Sequence, residues 1–157
     1  MNSIKRSDNM KISSKGRYGL AAMIYIADKG RNGDYITIIR IAEDLKISKI
    51  YLEQVFSLLK RSNLVTSIKG AQGGYRLSKD PSEISAREIL EAIELSLFEK
   101  ADKTVPKTAS GIENAMETLL WNNLDNEIAI TLAKVSLQNL LDESEKYSDN
   151  NKIMYYI

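Results

Sequence analysis

The sequence predicts a mainly α-helical fold, in which a small domain with one β-hairpin precedes a long C-terminal helix. Apolar residues recur at helical spacing in the first third of the chain and again from Ile112 onward. Between these regions, a glycine-rich turn separates two short β-favouring runs. Residues 1–79 carry 15 Lys and Arg against 6 Asp and Glu, whereas residues 80–157 carry 7 against 15. This asymmetry indicates a polyanion-binding module beside a module that binds no polyanion.

Three amphipathic segments open the predicted small domain. The first begins at Ser13 or Ser14, whose hydroxyl can cap a helix, and runs to about Lys29. After a turn-forming stretch, Thr37 and Ser48 are placed to cap a second and a third helix. The residues predicted to face the core are Leu20, Met23, Ile24 and Ala27 in the first helix, Ile38, Ile41, Ala42 and Leu45 in the second, and Leu52, Val55, Phe56 and Leu59 in the third.

The short turn between the second and third helices is typical of a helix-turn-helix. Lys46 stands in this turn at a position where glycine is frequent, so we expect a left-handed backbone there. Residues 64–68 and 75–77 then alternate around the turn 69–74 and predict a two-stranded hairpin. Three helices followed by a hairpin predict a winged helix-turn-helix.

The second half of the chain predicts helices of another kind. Ser85 and Glu88 have the spacing of a capping box for a fourth helix, and residues 95–111 read as a linker loop. The long helix from Ile112 has an apolar stripe that the same helix of a second chain can cover, although packing against its own first domain is the alternative. Ser136 is placed to cap one more short helix. The predicted dimerisation residues are Met116, Leu119, Leu120, Ile128, Leu132 and Val135.

The third helix carries side chains that suit the base edges of a DNA major groove. Gln can pair with adenine, Glu can accept from cytosine, and Lys can reach guanine or phosphate. A solvated helix surface carries the same residue types, but the position after a short turn and before a basic hairpin favours DNA reading. The predicted DNA contacts of this helix are Lys49, Ile50, Glu53, Gln54 and Lys60.

The hairpin tip is predicted to act as a wing. Its glycines allow positive φ and a close approach of backbone to phosphate, and Lys69 is placed to enter a minor groove or contact the DNA backbone. Lys15 and Arg17 would add backbone contacts, which solvated charge explains almost equally well. We expect Gly74→Val to damage the wing but not the fold, because a hairpin tip contributes little core. The wing residues predicted to contact DNA are Lys69, Gly70, Gln72, Gly73 and Gly74.

Composition excludes most catalytic chemistry. The 157 residues include no Cys and no His, which rules out disulfides, thiolate metal sites, cysteine nucleophiles and the commonest general base. No convergent set of Asp, Glu, Lys, Tyr or Ser is visible, so we expect a protein that is not an enzyme and needs no cofactor. No apolar run is long enough to span a bilayer, and we expect a cytoplasmic protein.

Three stretches resemble the Rrf family of winged-helix regulators. They are MKISSKGRYGLAAMIYIA from Met10, ISKIYLEQVFSLLKRSNLV from Ile47 and IKGAQGGYRLSKDPSEISAREIL from Ile68. The resemblance implies a dimer that reads DNA through the third helix and the wing. By position, it places Ser48, Ile50, Tyr51, Glu53 and Gln54 on the reading helix and Lys69 at the basic position of the wing, where the family usually has Arg.

Cluster-binding members of that family have three cysteines before the long helix, but residues 97–113 contain none. The chain is therefore most similar to the cluster-free repressors of cysteine metabolism, and this implies cysteine synthase as a partner. Tyr155, Tyr156 and Ile157 would dock in that enzyme and imitate an isoleucine-ended tail, unless the tail folds back onto its own dimer.

The sequence thus predicts a homodimeric transcription regulator that binds a palindromic operator and represses cysteine and sulfur metabolism genes. The alternative is a winged-helix interaction module that binds no DNA. The predicted organisation is a DNA-binding domain at 10–94, a linker at 95–111, dimerisation helices at 112–146 and a tail at 147–157.

Overall fold

A computed structural model of the chain describes residues 12–154. Helices dominate it, and one two-stranded antiparallel sheet provides the hairpin. The α-helices are α1 (Ser14–Lys29), α2 (Ile38–Leu45), α3 (Lys49–Arg61), α4 (Ala86–Ile93), α5 (Leu95–Phe98), α6 (Ser110–Met116), α7 (Asn122–Lys134) and α8 (Leu137–Met154), and the strands are β1 (Val65–Ile68) and β2 (Gly74–Leu77). Short 3₁₀ turns lie at Pro81–Glu83 and Lys107–Ala109, and a π-helical turn lies at Glu117–Trp121.

The hydrophobic core lies between α1, α3, α4 and the hairpin. Met23, Phe56 and Ile89 are fully enclosed there, as the periodicity of α1 and α3 predicts. Leu20, Ile24, Ile38, Ala42 and Leu45 pack on the rim of this core and are only partly buried. The element order and the core face therefore confirm the predicted winged-helix arrangement.

Local capping follows the sequence at four of the five predicted sites, one of which is Ser136 at the start of α8. The hydroxyls of Ser13 and Thr37 accept hydrogen bonds from Gly16 N and Arg40 N at 3.2 Å each. Ser85 and Glu88 form the full capping box. Ser48 is the N-cap of α3, but no capping bond to its side chain is found within residues 12–154. Its hydroxyl is therefore not committed to the helix it precedes.

The turn between α2 and α3 has the predicted left-handed residue. Lys46 has φ 54° and ψ 41°, and its backbone N–H donates to the carbonyl of Ala42. A side chain in this conformation costs roughly 1 kcal/mol of conformational free energy. The turn that results sets the angle between α2 and α3.

A third backbone segment pairs with the hairpin. Ile36 and Tyr75 exchange two backbone hydrogen bonds of 2.8 Å, so the segment before α2 pairs with the outer edge of β2. Gly74 has φ 143° and begins β2 against this segment. Gly74 therefore lies at a junction of three backbone segments and not at a free tip, and the expectation that Gly74→Val spares the fold is not supported by this geometry.

Residues 95–111 are more ordered than a linker loop. They contain α5 and a 3₁₀ turn, and α6 begins at Ser110, two residues before the predicted start. The carboxylate of Glu113, only 8% exposed, accepts hydrogen bonds from the backbone N–H groups of Thr104 and Val105 at 3.0 and 3.1 Å. This clip fastens the loop to the first turn of α6.

The C-terminal helix is longer than predicted and returns to the small domain. Ser136 accepts from Asn139 N at 3.0 Å, as its capping role requires, but α8 then continues to Met154, into the predicted tail. A β-bridge pairs Ser136 with Ser85, and Leu137 and Leu141 enter the core. Tyr155, Tyr156 and Ile157 lie outside the described residues. The predicted domain boundaries stay a prediction.

Within residues 12–154, no helix is both long and apolar enough to cross a membrane.

Candidate nucleic-acid interface

The first two turns of α3 present the side chains that were predicted to read DNA. Lys49, Ile50, Glu53 and Gln54 are exposed, whereas the opposite side of the helix is buried. Ile50 is a large aliphatic side chain on this polar surface and is 69% exposed. An apolar group on such a surface suits the methyl group of thymine. Lys60 is exposed at the other end of the same helix.

An ion pair joins two of the exposed side chains at the start of α3. Lys49 Nζ lies 3.6 Å from Glu53 Oε1, one helical turn away. Both side chains are about half exposed, so the pair contributes little to stability and can open at small cost.

The start of α1 lies beside the start of α3. The rings of Tyr18 and Tyr51 meet edge to face with centroids 5.4 Å apart. Arg17, on the turn that carries Tyr18, is exposed and donates to Ser14 Oγ at 3.3 Å, while Lys15 is partly buried. The aromatic contact therefore brings the predicted backbone contacts of α1 next to the reading helix.

The wing is anchored to α3 and exposes its tip. Phe56 in α3 packs against Tyr75 in β2 with ring centroids 4.6 Å apart. Lys69, Gly70 and Gln72 are exposed at the turn. Gly73, by contrast, is buried, and a β-carbon there would lie 2.3 Å from the carbonyl oxygen of Ile68. Gly73 thus shapes the wing from inside.

Sequence reasoning missed one basic group at the base of the wing. The guanidinium carbon of Arg76 lies over the ring of Tyr35, 4.7 Å from its centroid. Strand alternation could have indicated Arg76, because its neighbour Tyr75 points inward. No sequence pattern indicated a role for Tyr35, because it follows directly on a turn-forming stretch.

The interface is supported by a buried tie between α1 and α2. The hydroxyl of Tyr25 donates to the carboxylate of Asp44. Burial raises the pKa of Tyr25 above its ordinary value, and the negative charge of Asp44 raises it further. The hydrogen bond from Tyr25 to Asp44 links α1 to α2.

The long helical segment exposes an apolar surface. Leu119 is 76% exposed and Leu120 is also exposed, as a partner-facing role requires. Met116, Ile128, Leu132 and Val135 are partly buried, and α7 packs against α4 of its own chain. The exposed residues that the prediction did not include in the dimer surface are Ile112, Trp121, Leu124 and Ile130.

Comparison with known proteins decides the family. The profile of the Rrf2 family, described as "Iron-dependent Transcriptional regulator", matches residues 12–143. The chain belongs to the Rrf2 family. The HTH-type transcriptional regulator IscR of Photorhabdus laumondii is 36% identical over 139 residues, which cover 87% of this chain and 82% of that protein. IscR of Escherichia coli O1:K1 is 34% identical over 139 residues, with coverage of 87% and 83%.

Solved structures of Rrf2 relatives confirm the fold class. CymR, the global cysteine regulator of B. subtilis, has a TM-score of 0.69 and 32% identity and covers 86% of this chain and 98% of its own. T. potens IscR has a TM-score of 0.66 and 28% identity, with coverage of 88% and 91%. This Rrf2 protein is therefore a DNA-binding transcriptional regulator and not an enzyme.

The side chains of this Rrf2 protein do not fit the iron centre that the family description implies. The sequence contains neither Cys nor His. Across the described part of the chain, no three Asp or Glu side chains come together as a metal-binding group. The loop that precedes the long helix is closed by Glu113 and two backbone N–H groups instead. We assign no iron chemistry to this chain.

Proposed function

We propose that this Rrf2 regulator is a homodimeric repressor that reads a palindromic operator with α3 and the wing. The exposed series Lys49, Ile50, Glu53 and Gln54 at the start of α3 carries the proposal. Glu53 accepts from cytosine N4, Gln54 pairs with adenine, and Ile50 contacts a thymine methyl. Lys49 and Lys60 serve guanine or phosphate. Lys15, Arg17, Lys69 and Arg76 add contacts to the DNA backbone.

The homodimer is supported by an exposed apolar surface that runs from α6 through the π-helical turn into α7. The π-helical turn, with Leu119, Leu120 and Trp121 in water, leaves a large apolar area uncovered. The same surface of a second chain covers it through an isologous contact, which also brings two reading helices to the half-sites of a palindrome. Sulfur metabolism as the controlled process is supported by the similarity to CymR, a global cysteine regulator, and by the absence of cysteines that could hold an iron–sulfur cluster.

The DNA-reading proposal is tested by comparing a site selected by the protein from a random DNA pool with random duplex. We expect binding to weaken steeply between about 50 and 200 mM salt. Glu53→Ala should change base preference more than overall affinity, whereas Lys60→Ala should weaken both duplexes alike. Equal losses on both duplexes for Glu53→Ala would remove Glu53 from direct readout.

The dimer is tested by sedimentation of Leu119→Glu beside Thr118→Glu. The second variant adds the same charge at the neighbouring exposed position, outside the apolar set. Leu119→Glu should shift the protein to monomer because it buries a charge in the contact, and Thr118→Glu should not. A dimer of unchanged strength in Leu119→Glu would contradict the proposed surface.

Cysteine synthase is the proposed partner, on the strength of the family resemblance and the residues Tyr155, Tyr156 and Ile157. Deletion of Ile157 should abolish binding of the enzyme in a calorimetric titration and leave dimerisation intact. Equal affinity of the truncated chain would exclude docking through this residue.

The regulated genes are tested by measuring genome-wide DNA occupancy of the protein with and without sulfur limitation.

A further inference from the structure

A transcription regulator responds to a signal, and the side chains of this chain do not fit an iron centre that could sense one. A cavity of about 390 Å³ lies between the end of α1, the exit of β2 and the start of α8. This volume is within the range of small-molecule sites. It joins the wing to the C-terminal helix, two parts of the chain that are far apart in sequence.

The lining of the cavity is partly apolar and partly polar. Leu77 and Pro81 are partly buried and supply accessible apolar surface, whereas Ile26, Ala27 and Leu141 also line the cavity but are nearly inaccessible to solvent. Arg31, Arg76 and Lys79 supply three cations to the lining, against one carboxylate from Asp80. Such a lining suits a ligand with an apolar body and an anionic head.

Two of the cations differ in how they are engaged. Arg31 pairs with both Asp28 and Glu145, so its charge is already balanced. Arg76 makes no ion pair with any other residue of the described chain, and its recorded partner is the face of the Tyr35 ring. A ring face leaves the in-plane N–H groups of a guanidinium able to hold a carboxylate in two hydrogen bonds.

Lys79 lines the same cavity as Arg76. Its ammonium group donates to Glu88 at 2.9 Å in an exposed pair, and an ammonium has three donors. Lys79 can therefore contact a second carboxylate without leaving Glu88. Asp80 is already engaged by its own chain, because its carboxylate accepts hydrogen bonds from the backbone N–H and the hydroxyl of Ser82.

We propose that this cavity binds a small organic carboxylate with an apolar body, and that its occupancy weakens DNA binding. The carboxylate contacts Arg76 and Lys79, and the apolar body packs on Leu77 and Pro81. Arg76 lies at the base of the wing, so a bound anion neutralises a cation that would otherwise attract DNA phosphate. This second step rests on the DNA-binding function proposed above.

Binding is tested on the full chain without DNA. Hexanoate is titrated into isotope-labelled protein and followed by amide NMR, with hexylammonium and hexanol as probes of the same length but different charge. Hexanoate should shift the amides of Gly30, Gly33 and Leu77 to saturation and bind about tenfold tighter than either control, as a charge-assisted contact requires. Equal affinity of hexylammonium, or shifts confined to residues outside the cavity, would overturn the proposal.

Two variants separate the head and the body of the ligand. Arg76→Gln should weaken hexanoate about tenfold, and Lys103→Gln, which removes a cation outside the cavity lining, should not. Gln138→Trp fills the cavity from the partly buried rim of α8 and should abolish binding even if Arg76→Gln fails to fold. Unchanged affinity in Gln138→Trp would exclude this cavity.

The regulatory step is then measured as operator affinity with and without saturating hexanoate. We expect a several-fold loss in the wild type and no loss in Gln138→Trp. Unchanged affinity in the wild type would refute the regulatory step. Failure to bind DNA even without hexanoate would refute the proposed function, while the NMR titration would still decide carboxylate binding.

Discussion

Gly74 lies so close to Ile36 that a β-carbon at position 74 would stand 2.5 Å from the carbonyl carbon and oxygen of Ile36. Its φ of 143° is also one that residues with a side chain rarely adopt. Two independent constraints therefore require glycine here, and both come from the pairing of β2 with the segment before α2. The wing is thus part of the sheet that fixes α2.

Gly74→Ala should destabilise the protein by about 2 kcal/mol, because the new methyl group must push two backbone segments apart. The measurement is the free energy of unfolding in urea. Gly111→Ala is the matched control, since it adds the same methyl group in open space within α6 and should stabilise by about 0.5 kcal/mol. Equal stability of wild type and Gly74→Ala would show that the sheet junction can relax.

Glu113→Ala should release the loop that precedes α6. The backbone N–H groups of Thr104 and Val105 lose their acceptor, so their hydrogen exchange should accelerate and the fold should lose about 2 kcal/mol. Glu117→Ala is the control, because that carboxylate makes only a 3.9 Å surface pair with Lys100. Unchanged exchange at Thr104 in Glu113→Ala would contradict the clip.

Glu88 should make stability depend on acidity. Burial alone raises the pKa of this carboxyl, but the backbone N–H of Ser85 and the ammonium of Lys79 outweigh burial and lower it below its ordinary value. A lowered folded pKa adds stability above the unfolded value of about 4.3, and this stability is lost as pH falls through the folded pKa.

Glu88→Gln should therefore flatten the acid side of the stability curve. Urea unfolding at neutral pH and at about pH 3 should show a smaller loss than in the wild type. Glu143→Gln, which removes an exposed carboxylate paired with Lys146 on α8, should behave as the wild type. The same loss in Glu88→Gln and wild type would assign the acid sensitivity to other groups.

Iron should leave DNA binding unchanged. Affinity for the selected site should stay within about twofold whether the protein is treated with ferrous iron or with a chelator, because the chain has no Cys or His to hold the metal. The measurement is a fluorescence anisotropy titration under anaerobic conditions. A tenfold change on iron addition would show that a ligand set of another kind exists.

The sequence alone determined the local elements of this protein. Ser13, Thr37 and Ser85 cap their helices because a hydroxyl satisfies a backbone N–H only a few residues away. The turn at Lys46 and the core face of α3 follow from equally short-range patterns. The family motifs lie in the same segments, which is why the fold class and the exposed face of α3 could be predicted from the sequence.

Tertiary structure decided the contacts between distant segments. The Ile36–Tyr75 and Ser85–Ser136 bridges join backbone groups that no periodicity connects, and the Glu113 clip joins a side-chain carboxylate to two backbone N–H groups in the same way. The mostly polar surface of α8 did not indicate that Leu137 and Leu141 lie in the core. Two apolar residues on one turn become buried only when another element packs against them. Local patterns specify which groups need a partner, whereas the packed chain determines which distant group becomes that partner.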